Sequence, residues 1–217
     1  MGRKSSGHIY GPVPSRRLGR SLGIDLVPYK ICSYDCVYCQ LGCTTQKTVE
    51  RKEYVPLDDL AQEIGQIMAT GVTADYITLA GSGEPTLNSE IGSVISELKS
   101  KTDIPVAVLT NGSLLWNGEV RESILEADLI LPSLDAASEA TFDYVNRPDP
   151  EVTSEGVQEG YLARGHADRG RDGGSSGGRE DCGARLARQG GQNSTEHGHT
   201  APGRRVRLCR TPGENEG

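Results

Sequence analysis

The sequence lacks three features that would direct it away from the cytoplasm or toward nucleic acid. No apolar run approaches the ~20 residues that a membrane span requires, so we expect a soluble chain without a membrane partner. No secretory signal is visible, which makes a disulfide framework a weak interpretation and predicts a cytoplasmic location. Positive charge is not in excess: the formal net charge is -7, which argues against non-specific binding to nucleic acid.

The distribution of the cysteines is informative. Three of the six cysteines, Cys32, Cys36 and Cys39, follow the spacing C-x3-C-x2-C and place three thiols on one short segment. Three ligands for a four-iron cluster leave one iron open to a reactant. With Cys43 the same segment offers four thiols, which is the number that a structural zinc site needs. The spacing alone therefore leaves an open cluster, a zinc site and free thiols as alternatives.

Hydrophobic periodicity predicts strands that alternate with helices over the first two thirds of the chain. We predict strands at 22–27, 76–80, 105–109 and 128–134. Apolar residues repeat at helical spacing in the segments that follow, namely 57–68, 91–98, 120–125 and 138–145, with Asn88 or Ser89 placed to cap the second helix. Such an alternation indicates a parallel sheet covered by helices, in which ligands bind at the carboxyl ends of the strands.

Three of these predicted strands end in segments that suit a ligand. The loop after the second strand, Gly81-Ser82-Gly83-Glu84, combines small residues with what the sequence suggests is an unpaired acid. Asn111 follows the third strand. Ser133 and Asp135 lie at the end of the fourth, where alternation predicts that they face the same side.

The cysteine segment resembles the signature of the radical S-adenosylmethionine (radical SAM) superfamily, in which an aromatic residue precedes the last cysteine. Tyr38 fills that position, directly before Cys39. The flanking segments 10–23 and 40–42 resemble an uncharacterised iron–sulfur oxidoreductase subfamily. That subfamily stands near the wyosine-forming tRNA enzymes and the nitrogenase-cofactor assembly proteins. The resemblance covers residues 8–148.

This resemblance implies an α/β fold, a partial (βα) barrel of which about four βα units are present. It implies an enzyme with a [4Fe-4S] cluster on Cys32, Cys36 and Cys39 that cleaves SAM reductively to a 5′-deoxyadenosyl radical. The radical abstracts hydrogen from an unknown small-molecule, RNA or protein substrate, and a donor such as ferredoxin or flavodoxin supplies the electron. The residues expected to bind the cofactor are Tyr38, Gly81, Ser82, Gly83, Glu84, Asn111, Ser133 and Asp135.

A hypothesis from another class remains beside this one. Cys32, Cys36, Cys39 and Cys43 together would form a non-catalytic iron–sulfur or zinc-binding module. The enzyme hypothesis predicts that Cys43 is dispensable for metal binding, whereas the zinc hypothesis predicts that it is required.

The composition changes after residue 148. No lysine, isoleucine, phenylalanine or tryptophan occurs from Glu151 to Gly217, and glycine and arginine dominate. So few large apolar residues do not offset the entropy lost on ordering this segment, so we predict a core domain at 1–148 and a disordered tail at 149–217. An RNA-binding tail and a flexible extension are two interpretations of it. We favour a third, a slipped reading frame near Asp149, which predicts that the chain as written is truncated or inactive.

Overall fold

Strands and helices alternate along the part of the chain that the structure describes. The structure is a computed structural model, and it describes residues 7–136 and 138–167. In chain order the elements are β1 Ile9–Ser15, β2 Gly19–Ile24, β3 Ile31–Cys32, β4 Gln46–Lys47, α1 Leu57–Ala69, β5 Tyr76–Leu79, α2 Ile91–Lys101, β6 Val106–Thr110, α3 Gly118–Ser123, β7 Leu129–Pro132, α4 Glu139–Asn146 and α5 Ser154–Ala167. A single 3₁₀ turn, Pro85–Leu87, follows β5.

The main sheet has five strands in the order β1-β2-β5-β6-β7. Strands β2, β5, β6 and β7 are parallel, and a helical connection separates each from the next. The predicted fold class, a partial barrel with about four βα units, is therefore confirmed. Strand β1 pairs antiparallel with β2 at the edge of the sheet and was not predicted. Its Gly11, Pro12 and Pro14 belong to residue types that strands ordinarily exclude, which hid it.

Two strands differ from their predicted ranges by two residues or more, and the other two by one residue. Strand β2 covers Gly19–Ile24 rather than 22–27, because Leu26 and Val27 are buried apolar residues of the loop that follows. Strand β7 ends at Pro132 rather than at residue 134. Ser133 and Asp135 thus lie beyond the strand, and the alternation rule does not apply to them.

The helix N-terminus predicted for the second helix is also corrected. The N-cap of α2 is Glu90, which makes no side-chain capping hydrogen bond. Asn88 instead accepts a hydrogen bond from the Glu90 N–H at 2.8 Å through Oδ1, and its Nδ2 donates to Leu26 O at 2.8 Å. Asn88 is fully buried and therefore ties the start of α2 to the loop after β2.

The core lies between the sheet and helices α1 and α2. Alternate residues of the parallel strands turn one face toward the helices. The strand side of this core consists of Leu22, Ile24, Ile77, Leu79, Val106, Val108 and Ile130, and the helix side of Leu60, Ile64, Ile91, Val94, Ile95 and Leu98. The intervening positions of β2 and β5 include Ser21, Gly23 and Thr78, and the Ser21 and Thr78 hydroxyls hydrogen-bond each other. The face away from the helices is therefore polar at β2 and β5, whereas β6 and β7 place leucines there.

Ordered packing continues past residue 148, where the sequence predicted a disordered tail. Val152 and Val157 are buried in a second cluster with Tyr34, Ala136 and Phe142. The Tyr34 and Phe142 rings meet edge to face with centroids 5.6 Å apart. Within 149–167 the prediction of disorder is therefore wrong, because two valines on or beside α5 find a partner surface on the cysteine segment. Residues 168–217 of the predicted tail lie outside the described residues.

A membrane-spanning helix is not found in the described ranges: none of the helices there is both long and apolar enough.

Candidate functional site

The three cysteines lie on one loop that starts at β3. Cys32 ends β3, and the Cys39 N–H donates to Cys36 O at 3.1 Å, which closes a tight turn between the last two cysteines. The middle of the loop is attached to the end of α4, since the Asp35 and Val37 N–H groups donate to backbone oxygens of residues 146 and 145 at 3.0 and 2.9 Å. All three thiols are free and partly buried. Backbone hydrogen bonds therefore fix the conformation of the cysteine loop and its position against α4.

Each of the three sulfurs accepts a hydrogen bond from a different part of the chain. Lys30 Nζ donates to Cys39 Sγ at 3.1 Å. Asn111 Nδ2 donates to Cys32 Sγ at 3.6 Å, and Asn146 Nδ2 donates to Cys36 Sγ at 3.5 Å. The donors come from the segment before β3, the end of β6 and the end of α4. N–H donors aimed at sulfur are what a thiolate or a metal-bound thiolate requires.

Burial disfavours the charged form of two of these thiols. Burial, and next the Glu84 carboxylate, raise the pKa of Cys32 to about 12. The pKa of Cys36 is also raised, chiefly by burial. Without a bound cation both thiols therefore favour the protonated form, and a metal that bound them would replace the proton.

Two buried polar atoms beside the thiols have no hydrogen-bond partner among the described residues. They are the Tyr34 hydroxyl and Asn146 Oδ1. Asn146 is 1% exposed, and its amide nitrogen is already engaged by Cys36 and by Asp135. Unpaired buried polar atoms are uncommon in folded proteins. Among the described residues there is one more, Arg51 Nη2.

Glu84 joins the loop after β5 to the end of β6. Its Oε1 accepts hydrogen bonds from Thr86 N at 3.1 Å, from Thr86 Oγ1 at 2.6 Å and from Thr110 Oγ1 at 2.6 Å, and its Oε2 accepts one from Asn111 N at 2.7 Å. The residue is 2% exposed, and burial raises its pKa. The expected unpaired acid is therefore a paired one, since the strand ends supply its donors.

Glycine is required in the loop before Glu84 because other chain segments pass very close. A Cβ on Gly83 would lie 1.9 Å from Ile31 O, and one on Gly81 would lie 1.7 Å from Asp25 Oδ1. Between them, the Ser82 carbonyl accepts a hydrogen bond from Lys30 N at 2.7 Å. The glycine-rich loop thus packs directly against the segment that leads into the cysteines.

The remaining predicted residues lie around the outer part of the loop. Tyr38 is 53% exposed, and its hydroxyl donates to Asp135 Oδ2. Asn146 Nδ2 donates to the same oxygen at 2.9 Å, so Asp135 links Tyr38 to α4. Ser133 is exposed, and its backbone N–H donates to Thr110 O at 3.0 Å. The structure brings all of the predicted segments to one end of the parallel sheet, with Ser133 the least engaged.

Comparison with known proteins identifies the family. A family model described as the radical SAM superfamily matches residues 26–160, well over half of the chain. The chain belongs to the radical SAM superfamily. The match runs past residue 148 and includes most of α5. The radical SAM part therefore extends beyond the boundary that the composition suggested.

Several curated relatives are similar to this radical SAM chain over about 70% of its length. A UPF0026 protein of Methanocaldococcus jannaschii is 41% identical over 71% of this chain and 48% of its own. A UPF0026 protein of Synechocystis is 40% identical over 70% and 57%. A protein of Brachyspira hyodysenteriae named GTPase Obg is 44% identical over 71% of this chain but only 23% of its own. The chain therefore spans from about a quarter to just over half of the length of these relatives.

Members of the radical SAM superfamily generally use a [4Fe-4S] cluster and SAM, and the residues of this loop fit such a cluster. The three thiols are free, and each has its own N–H donor. In the described ranges, no three His, Cys, Asp or Glu side chains group closely enough to hold a single metal ion.

Sequence reasoning missed two residues that contact the cysteines, Lys30 and Asn146. Asn146 lies 110 positions after Cys36, so only the fold brings them together. Lys30 could have been suspected from the sequence, because it is a charged residue that precedes the apolar Ile31 and lies only two positions before Cys32. Asp25 was missed as well, although it accepts hydrogen bonds from Ser82 N and Oγ at 2.6 and 2.9 Å.

Proposed function

We propose that this chain binds a [4Fe-4S] cluster through Cys32, Cys36 and Cys39 and cleaves SAM reductively. The observation that supports this most directly is that three free thiols on one loop each accept a separate N–H donor. When bound, the cluster supplies one electron to the sulfonium of SAM, giving methionine and a 5′-deoxyadenosyl radical that takes hydrogen from a substrate. The remaining contribution, binding and orientation, belongs to the protein.

In this proposal the glycine-rich loop supplies the surface that receives the cofactor. Gly81 and Gly83 let this loop pack closely against Asp25 and Ile31, next to the cysteine segment. Glu84, with its acceptor sites used by Thr86, Thr110 and Asn111, fixes the shape of this loop relative to β6. Asn111, Ser133 and Asp135 are proposed as polar contacts at the neighbouring strand ends, and Tyr38 covers the loop from outside.

The radical chemistry also needs an electron donor and a substrate. We propose a reduced protein donor such as ferredoxin or flavodoxin. The substrate that gives up the hydrogen atom is a small molecule, an RNA or a protein. The donor supplies one electron for each SAM that is cleaved. The radical then takes one hydrogen atom from the substrate, which is thereby oxidised by one electron.

Anaerobic purification and reconstitution test the proposal. The wild-type chain should become brown and hold about four irons and four sulfides, and with dithionite and SAM it should release 5′-deoxyadenosine. Cys32→Ala, Cys36→Ala and Cys39→Ala should each lose most of the iron, while Cys43→Ala should keep it. A colourless protein that binds zinc and requires Cys43 would instead establish the non-catalytic module.

A further inference from the structure

Lys30 is a buried cation whose ammonium group donates a hydrogen bond to a cysteine sulfur. The residue is 3% exposed, and its Nζ donates to Cys39 Sγ at 3.1 Å. Within the described ranges no carboxylate lies within ion-pair distance of it. Burying an ammonium is costly unless an opposite charge is near. A negative charge on Cys39, the hydrogen-bond partner of Lys30, would compensate this buried ammonium.

The backbone of Lys30 has an uncommon conformation that two hydrogen bonds hold in place. Its φ of 61° lies in the left-handed region, where a side chain costs about 1 kcal/mol or more relative to glycine. The conformation is held from both sides, since Lys30 N donates to Ser82 O at 2.7 Å and Lys30 O accepts from Thr45 N at 3.0 Å. The backbone of Lys30 is thus tied to the glycine-rich loop on one side and to Thr45 on the other, while its Nζ reaches Cys39 Sγ.

Lys30 differs in kind from the other two donors. Asn111 and Asn146 are neutral amides at 3.6 and 3.5 Å from their sulfurs. Lys30 brings a full positive charge and the shortest of the three contacts. A cluster held by thiolates gains one negative charge when it is reduced, and a nearby fixed cation stabilises that form.

We propose that Lys30 is a positioning residue that sets the reduction potential of the cluster by compensating negative charge at Cys39. The proposal rests on the proposed function, because it requires a cluster on the three thiols. The role proposed for Lys30, charge compensation at Cys39, is not one that the spacing of the cysteines or the glycine-rich loop predicts. Removal of the charge should make the cluster harder to reduce without removing a metal ligand.

The test compares the full-length wild-type chain with Lys30→Met, Lys30→Arg and a control, Lys47→Met. Lys47 lies on β4 next to the loop but is exposed, and its Nζ donates to Pro148 O at 2.9 Å rather than to sulfur. After anaerobic reconstitution, iron content and the midpoint potential from a redox titration monitored by electron paramagnetic resonance are measured. Lys30→Met should keep its iron. At a fixed potential, its ratio of reduced to oxidised cluster should be at least tenfold lower than in the wild-type chain. This corresponds to a midpoint potential that is lower by about 59 mV for one electron.

Lys30→Arg should stay close to wild type, as should Lys47→Met. An unchanged midpoint in iron-loaded Lys30→Met overturns the proposal. If Lys30→Met loses its iron, retention of iron by Lys30→Arg supports a charge requirement, whereas equal loss in both shows a packing role and also overturns it. A wild-type chain that takes up no iron refutes the proposed function itself, a result that the iron assay separates from a failure of the Lys30 proposal alone.

Discussion

Thr110 donates a hydrogen bond of 2.6 Å from its Oγ1 to Oε1 of Glu84, and this contact joins the end of β6 to the loop that follows β5. Both residues are buried, so water does not compete for the interaction. Three further donors complete the coordination of the carboxylate, and one of them is the backbone N–H of Asn111, whose side chain contacts Cys32. One acidic residue thereby holds together the loops that follow β5 and β6.

Glu84→Gln should therefore destabilise the chain. The amide places an N–H group where the carboxylate accepted a hydrogen bond, and at least one buried donor is left without a partner, a loss of about 2 kcal/mol in the free energy of unfolding. Urea denaturation measures this loss. Glu97→Gln is the control, because Glu97 makes a partly exposed i,i+4 ion pair with Lys101 and should change stability by less than about 0.5 kcal/mol. Equal effects in both variants would contradict the assigned role of Glu84.

Gly83→Ala should be destabilising for a steric reason. Its Cβ would lie 1.9 Å from the carbonyl oxygen of Ile31, which is backbone and has little freedom to move away. We expect a loss of at least about 2 kcal/mol and a lower yield of folded protein. Gly65→Ala provides the opposite case: Gly65 lies within α1, the nearest atom to its Cβ is 3.8 Å away, and alanine should raise stability by up to about 1 kcal/mol. Thermal unfolding of both variants shows whether the two signs are as expected.

Asp128 links the start of β7 to α2 and gives the stability a pH dependence. Its carboxylate accepts hydrogen bonds from Lys99 Nζ and Val106 N, both at 2.8 Å. Partial burial raises the pKa of Asp128, but these hydrogen bonds outweigh it, and the net pKa lies below its usual value. A lowered pKa in the folded state means that the stabilisation is present at neutral pH and disappears as the pH falls through that pKa.

Asp128→Asn should accordingly cost up to about 1 kcal/mol at neutral pH, a small value because the side chain is partly exposed. The asparagine still accepts from Val106 N but loses its charge interaction with Lys99. Denaturant unfolding at neutral pH and in acid, at about pH 3 and below, should show the difference between variant and wild type shrinking with acidification. A difference that stays constant over this range would rule out the ionised carboxylate as its source.

The elements predicted correctly are those that local pattern defines. Helix α1 begins at Leu57 and ends at Ala69, within one residue of the predicted range, because its buried Leu60 and Ile64 recur at helical spacing. Strand β1 and the short β3–β4 pair carry no such pattern, since β1 is mostly exposed and β3 and β4 have two residues each. Pairing with β2 rather than local preference makes β1 a strand.

The candidate site also contains some features that local sequence patterns reveal and others that only the fold brings together. The three cysteines and the glycine-rich loop are local motifs, so the sequence alone was enough to predict them. Two of the three hydrogen-bond donors to the sulfurs, Asn111 and Asn146, are 79 and 110 positions away from the cysteines they contact. Whether Glu84 was paired also depended on contacts with β6, which no local spacing reveals.

The boundary near residue 148 is the prediction that the fold corrects most clearly, and Val157 tests the correction. Val157 lies on α5, is 1% exposed and belongs to the cluster beneath Tyr34 of the cysteine loop. Val157→Ala removes two buried methyl groups and should lower the free energy of unfolding by about 2 kcal/mol. Leu162 on the same helix is 70% exposed, so Leu162→Ala should change it by no more than about 0.5 kcal/mol.

Iron retention gives a second measurement for this pair of variants. Because Val157 packs with Tyr34, which lies between Cys32 and Cys36, loosening the cluster beneath the loop should also reduce the iron content of the reconstituted Val157→Ala chain relative to Leu162→Ala. If the two variants have the same stability and the same iron content, residues 149–160 do not support the cysteine loop. The functional unit would then end near residue 148, as the composition alone suggested, despite a family match that continues to residue 160.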